Sequence, residues 1–495
     1  MRRMNIMAAL AAVWLIAAYA EAATYQWDGG SSSTSSWQTA SNWRNDTIPP
    51  LTGNHDIYIR AADLVGTITT ANWNYGSAST ASYGLINVVC DASNAMTLQK
   101  SGAGSFTATG RLSLTGSGSS FPATLDADAN LTVTGLSVYD FAVVDVASGV
   151  TVTENGTFIL DALSGDTSCN KIGSGTLSTG ATSVLAGNAS GEDGELVLTA
   201  GTVASDGASV QAAQSVNATA LIKLAGGTLD LDADELKLAG GNSSGGGLAW
   251  LDFDSGSVSV AVIDMHGLSK IDSEQSFTVG GDLSVSVASG DAFATSAQID
   301  MVTSTTLDVN GTLTVDGLFG QAQLEKVGAG AITLDHISLT AGNAAGEHAL
   351  FVVTDGNVSA VASSTPTTTI EAANTVDADA TLQFNGTGDT LDLATLNLRG
   401  GSLPGGGGLA MFDYDLGSLT SPDAINMYGL CKIDTEQNIG SSVLTITVNG
   451  SDTFATDATL EIAGGKSISP GSVVIGDDNY ACTLTVIGPG KLTTP

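Results

Sequence analysis

The sequence predicts an all-β chain folded as a parallel β-helix, a β-solenoid with a tryptophan-rich N-terminal cap. Three observations point there. Short runs alternate apolar and polar residues: NLTVTG from Asn130, GVTVTENGTFIL from Gly149, NGTLTVDG from Asn310 and VLTITVNG from Val443. Such period-two patterning with β-branched residues marks strands that bury one face. Glycine, asparagine or aspartate closes each run, and no segment of 12 or more residues after the leader holds a helical period. Finally, the chain repeats itself. A single coil cannot bury its apolar face alone, whereas stacked coils share one core and one ladder of hydrogen bonds. The competing reading of the same strand signals is a string of antiparallel β-sandwiches.

The duplication is explicit. Residues 248–275 read LAWLDFDSGSVSVAVIDMHGLSKIDSEQ, and residues 409–437 read LAMFDYDLGSLTSPDAINMYGLCKIDTEQ. Upstream, AGNASGEDGELVLT from Ala186 matches AGNAAGEHALFVVT from Ala341, 155 residues on. Downstream, FAT at Phe293 matches FAT at Phe454, 161 residues on. A shorter signature recurs as KSGAG at Lys100, KIGSG at Lys171, KVGAG at Lys326 and VIGPG at Val486, each a glycine turn feeding a strand. These marks divide the chain into a leader (1–23), a Trp-rich cap with the first coils (24–95), further coils (96–170), repeat copy 1 (171–325) and repeat copy 2 with a terminal rung (326–495). At the 20 to 25 residues common for such coils, each copy is expected to hold about seven.

Composition narrows the function. Of 495 residues, 15 are Lys or Arg and 50 Asp or Glu, leaving a net charge of −35. That charge excludes phosphate-driven nucleic-acid binding and attraction to anionic membranes. It is expected to keep a long Ser/Thr surface soluble and to make any association sensitive to salt or divalent cations. The opening MRRMNIMAALAAVWLIAAYAEAA has two arginines, a short apolar run and small residues at its end, the grammar of a secretory signal peptide. An extracellular or cell-surface location is implied, with no membrane insertion of the mature chain. Cys90, Cys169, Cys431 and Cys482 are too far apart in sequence for neighbouring coils to bridge them, so buried thiols are expected. Trp27, Trp37, Trp43 and Trp73 crowd the start of the mature chain. They suit a cap over the first coil; the alternative is a set of rings on which sugars stack.

Together these elements resemble exported bacterial proteins with autotransporter-associated β-strand repeats. The resemblance rests on WDGG, ASNW and PP between Trp27 and Pro50, on the K-x-G-x-G signature at Lys100, Lys171 and Lys326, and on ISPGSVVIGDDNYACTLTVIGPGKL from Ile468. It implies a β-solenoid serving as an adhesin, surface-layer component or matrix protein. The membrane β-barrel expected of an autotransporter has no counterpart in the sequence. The partners implied are further copies of the chain, joined end to end into fibres, or a surface or matrix polysaccharide.

Solenoids also carry polysaccharide lyases and glycosidases, whose chemistry needs paired carboxylates. Candidates are Asp230, Asp232, Asp234 and Glu235, and the doublet Asp252/Asp254, which recurs as Asp413/Asp415. Alternate residues of one strand share a face, so each doublet converges. Its presence in both copies favours a structural rung over an active site. The same four aspartates are candidate calcium ligands, with plain surface acidity as the other reading. No cofactor is required. His266 becomes Tyr428 in the second copy and His348 corresponds to Asp193, so neither reads as a fixed general base. Gly241 to Gly245 satisfies G-x-S-x-G but lacks the strand-to-helix setting of a nucleophile elbow. Scattered TxT triplets raise an ice-binding reading that lacks a regular array. The leading expectation is a non-enzymatic structural or adhesive protein; the alternative is a carbohydrate-active or carbohydrate-binding β-helix.

Overall fold

Every alternating run becomes a strand, and strand pairs with strand in parallel across successive coils. The computed structural model describes residues 23–494, apart from 54, 163–164, 232–233, 243, 289–292, 361–365, 403–405, 449–454 and 477–480. The leader read as a signal peptide therefore lies outside the described residues save Ala23. The fold is a parallel β-solenoid, and the sandwich alternative fails on register: all strand pairs given below run parallel. Helical structure among the described residues is limited to 3-10 turns at Ala40–Asn42, Arg44–Asp46 and Ala61–Asp63. None of it is long and apolar enough to cross a membrane. The chain divides into two compact units, Met1–Gly156 and Thr157–Pro495.

In the first unit, one inward column runs Trp27, Ile59, Val88, Leu114 and Val138 through four consecutive registers. A second runs Ala71, Leu98, Leu125 and Val144. All are essentially inaccessible to solvent. Burying a residue of this size contributes about 1.5–3 kcal/mol, and like stacks on like with little void. Thr107 and Thr132 are themselves neighbours in one column.

In the second unit, the column Cys169, Leu196, Ile222, Leu251, Ile271 and Ile299 shows the same economy. Its thiol is one more small apolar rung. Cys90, Cys169 and Cys431 are buried, and all four cysteines are free. Burial pushes the Cys169 and Cys431 thiols up to about 12. Coils vary from 19 residues, Ala424 to Val443, to 33, Val358 to Leu391. The first copy runs Lys171, Leu198, Leu224, Phe253, Ser273 and Met301 before the next begins. That is six coils rather than seven, because corner loops such as 240–248 add residues the strand signals do not count. Long strands turn corners without ending. Ala249–Val260 does so at Gly256, whose φ of +112° and 1.9 Å approach of a notional Cβ to the Gly227 carbonyl oxygen leave no room for a side chain.

Candidate functional site

The cap is built from the WDGG and ASNW segments. Asn42, fully buried, donates from Nδ2 to the carbonyl oxygens of Thr34 (2.8 Å) and Ser36 (3.2 Å) and accepts at Oδ1 from the Ser31 amide (3.0 Å). It thereby folds the serine-rich loop over the first coil. Trp43 meets Trp27 and Trp37 edge to face at 5.2 and 4.7 Å, and its Nε1 donates to the Trp37 carbonyl at 2.8 Å. Trp27, Trp37 and Trp43 are 0%, 0% and 1% exposed. With no open ring face, the sugar-stacking reading of these three residues has no surface to act on; they fill the coil interior.

Asp252 and Asp254 lie on the outward face of Ala249–Val260, one coil above Lys223 in Ala220–Asp230. The Lys223 ammonium sits between them, 2.5 Å from Asp252 Oδ2 and 2.7 Å from Asp254 Oδ2. These hydrogen bonds raise the lysine pKa. One coil further, Lys270 bonds Asp272 at 2.7 Å and reaches Asp300 at 3.6 Å. The carboxylate pair thus clasps an internal cation where a glycosidase needs a substrate oxygen or a water. Lys223 likewise holds the place of a calcium ion.

The second copy repeats the scaffold with one change. Gln383 replaces Lys223 in register, and its Nε2 donates to Asp413 Oδ2 at 3.0 Å. Lys432 bonds Asp434 and Glu461, each at 2.7 Å. Burial, then the charges of Asp415 and Asp434, push the Asp413 carboxyl up to about 6. A folded pKa above the usual carboxylate value adds stability below about pH 4 that is lost as pH rises through about 6. The half-exposed setting screens this to about 1 kcal/mol. Gln383→Lys is therefore expected to stabilise the chain at pH 7 and to reduce the gain on acidifying to pH 5, read from urea midpoints against wild type. Equal pH responses in the two proteins would refute this.

The remaining candidates disperse. Asp230 ends a strand, Asp234 and Glu235 are exposed on a corner, and Asp232 lies outside the described residues, as does Ser243 of the G-x-S-x-G run. Its neighbour Asn242 accepts from the Ser244 amide at 3.0 Å, a local turn. Among the described residues no group of three or more His, Cys, Asp or Glu converges as a metal site. His266 is buried, with Nε2 2.6 Å from Asp264 Oδ2 and Nδ1 2.9 Å from the Ser286 carbonyl. Burial opposes its protonation, but the hydrogen bond and charge of Asp264 outweigh burial and raise its pKa. With both nitrogens so engaged the ring is a clamp between coils.

Sequence reasoning missed the signature lysines. Lys100, Lys171 and Lys326 are at most 1% exposed. Lys326 Nζ donates to the carbonyls of Val327 (2.8 Å), Gly328 (2.5 Å) and Asp355 (3.0 Å). Lys171 does the same with Ile172 (2.8 Å), Gly173 (2.9 Å) and Ala200 (3.2 Å). Lys100 donates to Gly102 and lies over the Trp73 ring. The recurrence of lysine at one offset before G-x-G was the available signal. No protein-family model matches this chain, and neither the curated proteins nor the solved structures contain a match.

Proposed function

We propose that this chain is a non-enzymatic, exported structural or adhesive β-solenoid of the cell surface or matrix, able to associate end to end. The observation that carries the reading is an apolar edge in a chain of net charge −35. Val474, Ile475, Val486 and Ile487 are 41–50% exposed, on Ser467–Ile475 and Cys482–Ile487. Among the described strands Cys482–Ile487 pairs only with Thr456–Ile462, and exposed apolar strands of this kind accept a further strand, of the same chain or of another copy. The occupied carboxylate doublet supports the non-enzymatic part, and the secretory grammar of the first residues and the likeness to autotransporter-associated repeats support the location.

Electron microscopy and light scattering of the mature chain test assembly. Oligomers that grow with concentration, grow further with added salt or divalent cations, and vanish in Val486→Asp are the expected result. Monodisperse wild-type particles at high concentration would overturn it. The second reading, a carbohydrate-binding β-helix, is favoured by the cleft described below. A carbohydrate-active version predicts product release from a polysaccharide, lost on Asp252→Asn.

A further inference from the structure

On another outward face of the second unit, two depressions of about 480 and 240 Å³ meet, sharing Gln211, Ala212 and Gln214. Strands Ala208–Gln211, Glu235–Ala239 and Val262–His266 form their wall. One outward column there runs Leu185, Gln211, Ala239 and His266, and the neighbouring one Ser183, Ser209, Lys237, Asp264 and Ser284. The hollow exists because Ala239 puts only a methyl group between Gln211 and His266.

The second copy carries charged side chains at the same positions. Its matching column is Thr340, Glu371, Arg399 and Tyr428. Arginine stands where the first copy has Ala239, and its Nη1 lies 3.6 Å from Glu371 Oε2. One backbone thus carries an amide and a methyl group in one copy and an ion pair in the other.

We infer that the open cleft binds a neutral polysaccharide chain. The inference rests on the adhesive reading above and names its partner class. The amide side chains of Asn188, Gln211 and Gln214 line the hollow and make no hydrogen bond among the described residues. Amides both donate and accept, which matches sugar hydroxyls. Ala186, Ala212, Ala213 and Ala239 add apolar methyl groups to the lining, suited to the C–H face of a sugar ring. His266, locked by Asp264 and Ser286, gives one rigid wall with Lys237 beside it. Four coils at strand spacing span about 14 Å, room for a short run of rings. The charge of −35 opposes a polyanionic chain.

Affinity electrophoresis of the whole mature chain through gels containing xylan, galactomannan, mixed-linkage glucan or alginate tests this. Retardation by at least one of the three neutral polymers is expected. Ala239→Arg with Gln211→Glu should weaken it at least tenfold at an unchanged melting temperature, because the second copy already folds with that pair. The converse, Arg399→Ala with Glu371→Gln, should strengthen it. Retardation equal to wild type in the first double variant would overturn the cleft and leave the adhesive reading standing. Retardation by alginate alone would overturn the neutral assignment. No retardation by any polymer would overturn both the cleft and a polysaccharide partner for the adhesive reading.

Discussion

Replacing Trp37 with alanine is expected to destabilise the first unit by about 3–5 kcal/mol, the cost of emptying a closed aromatic site that cannot collapse. Trp37 touches Trp43 at 4.7 Å, Tyr83 at 5.6 Å and Phe106 at 6.3 Å between ring centroids. Removing it therefore exposes the cap and the coils beneath together. Trp37→Phe keeps most of the volume and is expected to cost less than half as much. Tryptophan fluorescence during urea unfolding is the measurement, since Trp27, Trp37, Trp43 and Trp73 all lie in this unit. A loss under 1 kcal/mol for the alanine variant would mean that the cluster decorates the coil without closing it.

The second large effect is at Lys326. Lys326→Met keeps the stem and removes the ammonium, leaving the carbonyls of Val327, Gly328 and Asp355 without their donor. Each orphaned buried acceptor costs about 1–3 kcal/mol, partly offset by no longer burying a charge, so a net loss of about 3 kcal/mol is expected. Burial holds the Lys326 pKa down to about 8. The folded value lies below the unfolded one, so the unfolded chain binds more protons above pH 8, and stability rises from there until the unfolded lysine titrates near pH 10.5. The wild-type urea midpoint should therefore rise between pH 8 and 10 relative to Lys326→Met. Parallel midpoints across that range would place the ammonium in contact with water. Gly356→Ala should mimic the loss, because at φ +83° its Cβ would stand 2.6 Å from Lys326 Nζ and 2.2 Å from the Gly330 carbonyl oxygen.

Fold class was legible because it follows from short-range rules. Alternation in segments such as TSAQIDM (Thr295–Met301) appears unchanged as alternating burial, and the duplication excluded an irregular domain. Coil number was less legible: a corner of nine residues and a corner of two look alike when only strands leave a pattern. The site was the least legible. Asp252 and Asp254 do share a face as their spacing predicts. What lies between them is decided by Lys223, a coil away in space and 29 residues away in sequence. Lys100, Lys171 and Lys326 look solvated by residue type alone, and only the turn carbonyls that fold around them make burial tolerable. The tryptophans, readable as cap or sugar platform, were decided by Asn42, whose side chain draws the loop shut.

The lysine latches also bear on how such a chain changes over generations. Lys171 opens the first copy over Gly201, and Lys326 opens the second over Gly356, each with Nζ against the next coil. The coil that precedes Lys326 offers Ile299 as its register partner, and the matching coil of the second copy offers Leu460 to Val486. Outgoing and incoming seats are therefore interchangeable. Recombination between copies would add or delete six coils of the second unit, roughly 29 Å of stack at strand spacing, with an apolar seat at the join. The second unit can therefore lengthen or shorten in whole steps of one copy, with apolar seats already present at each join.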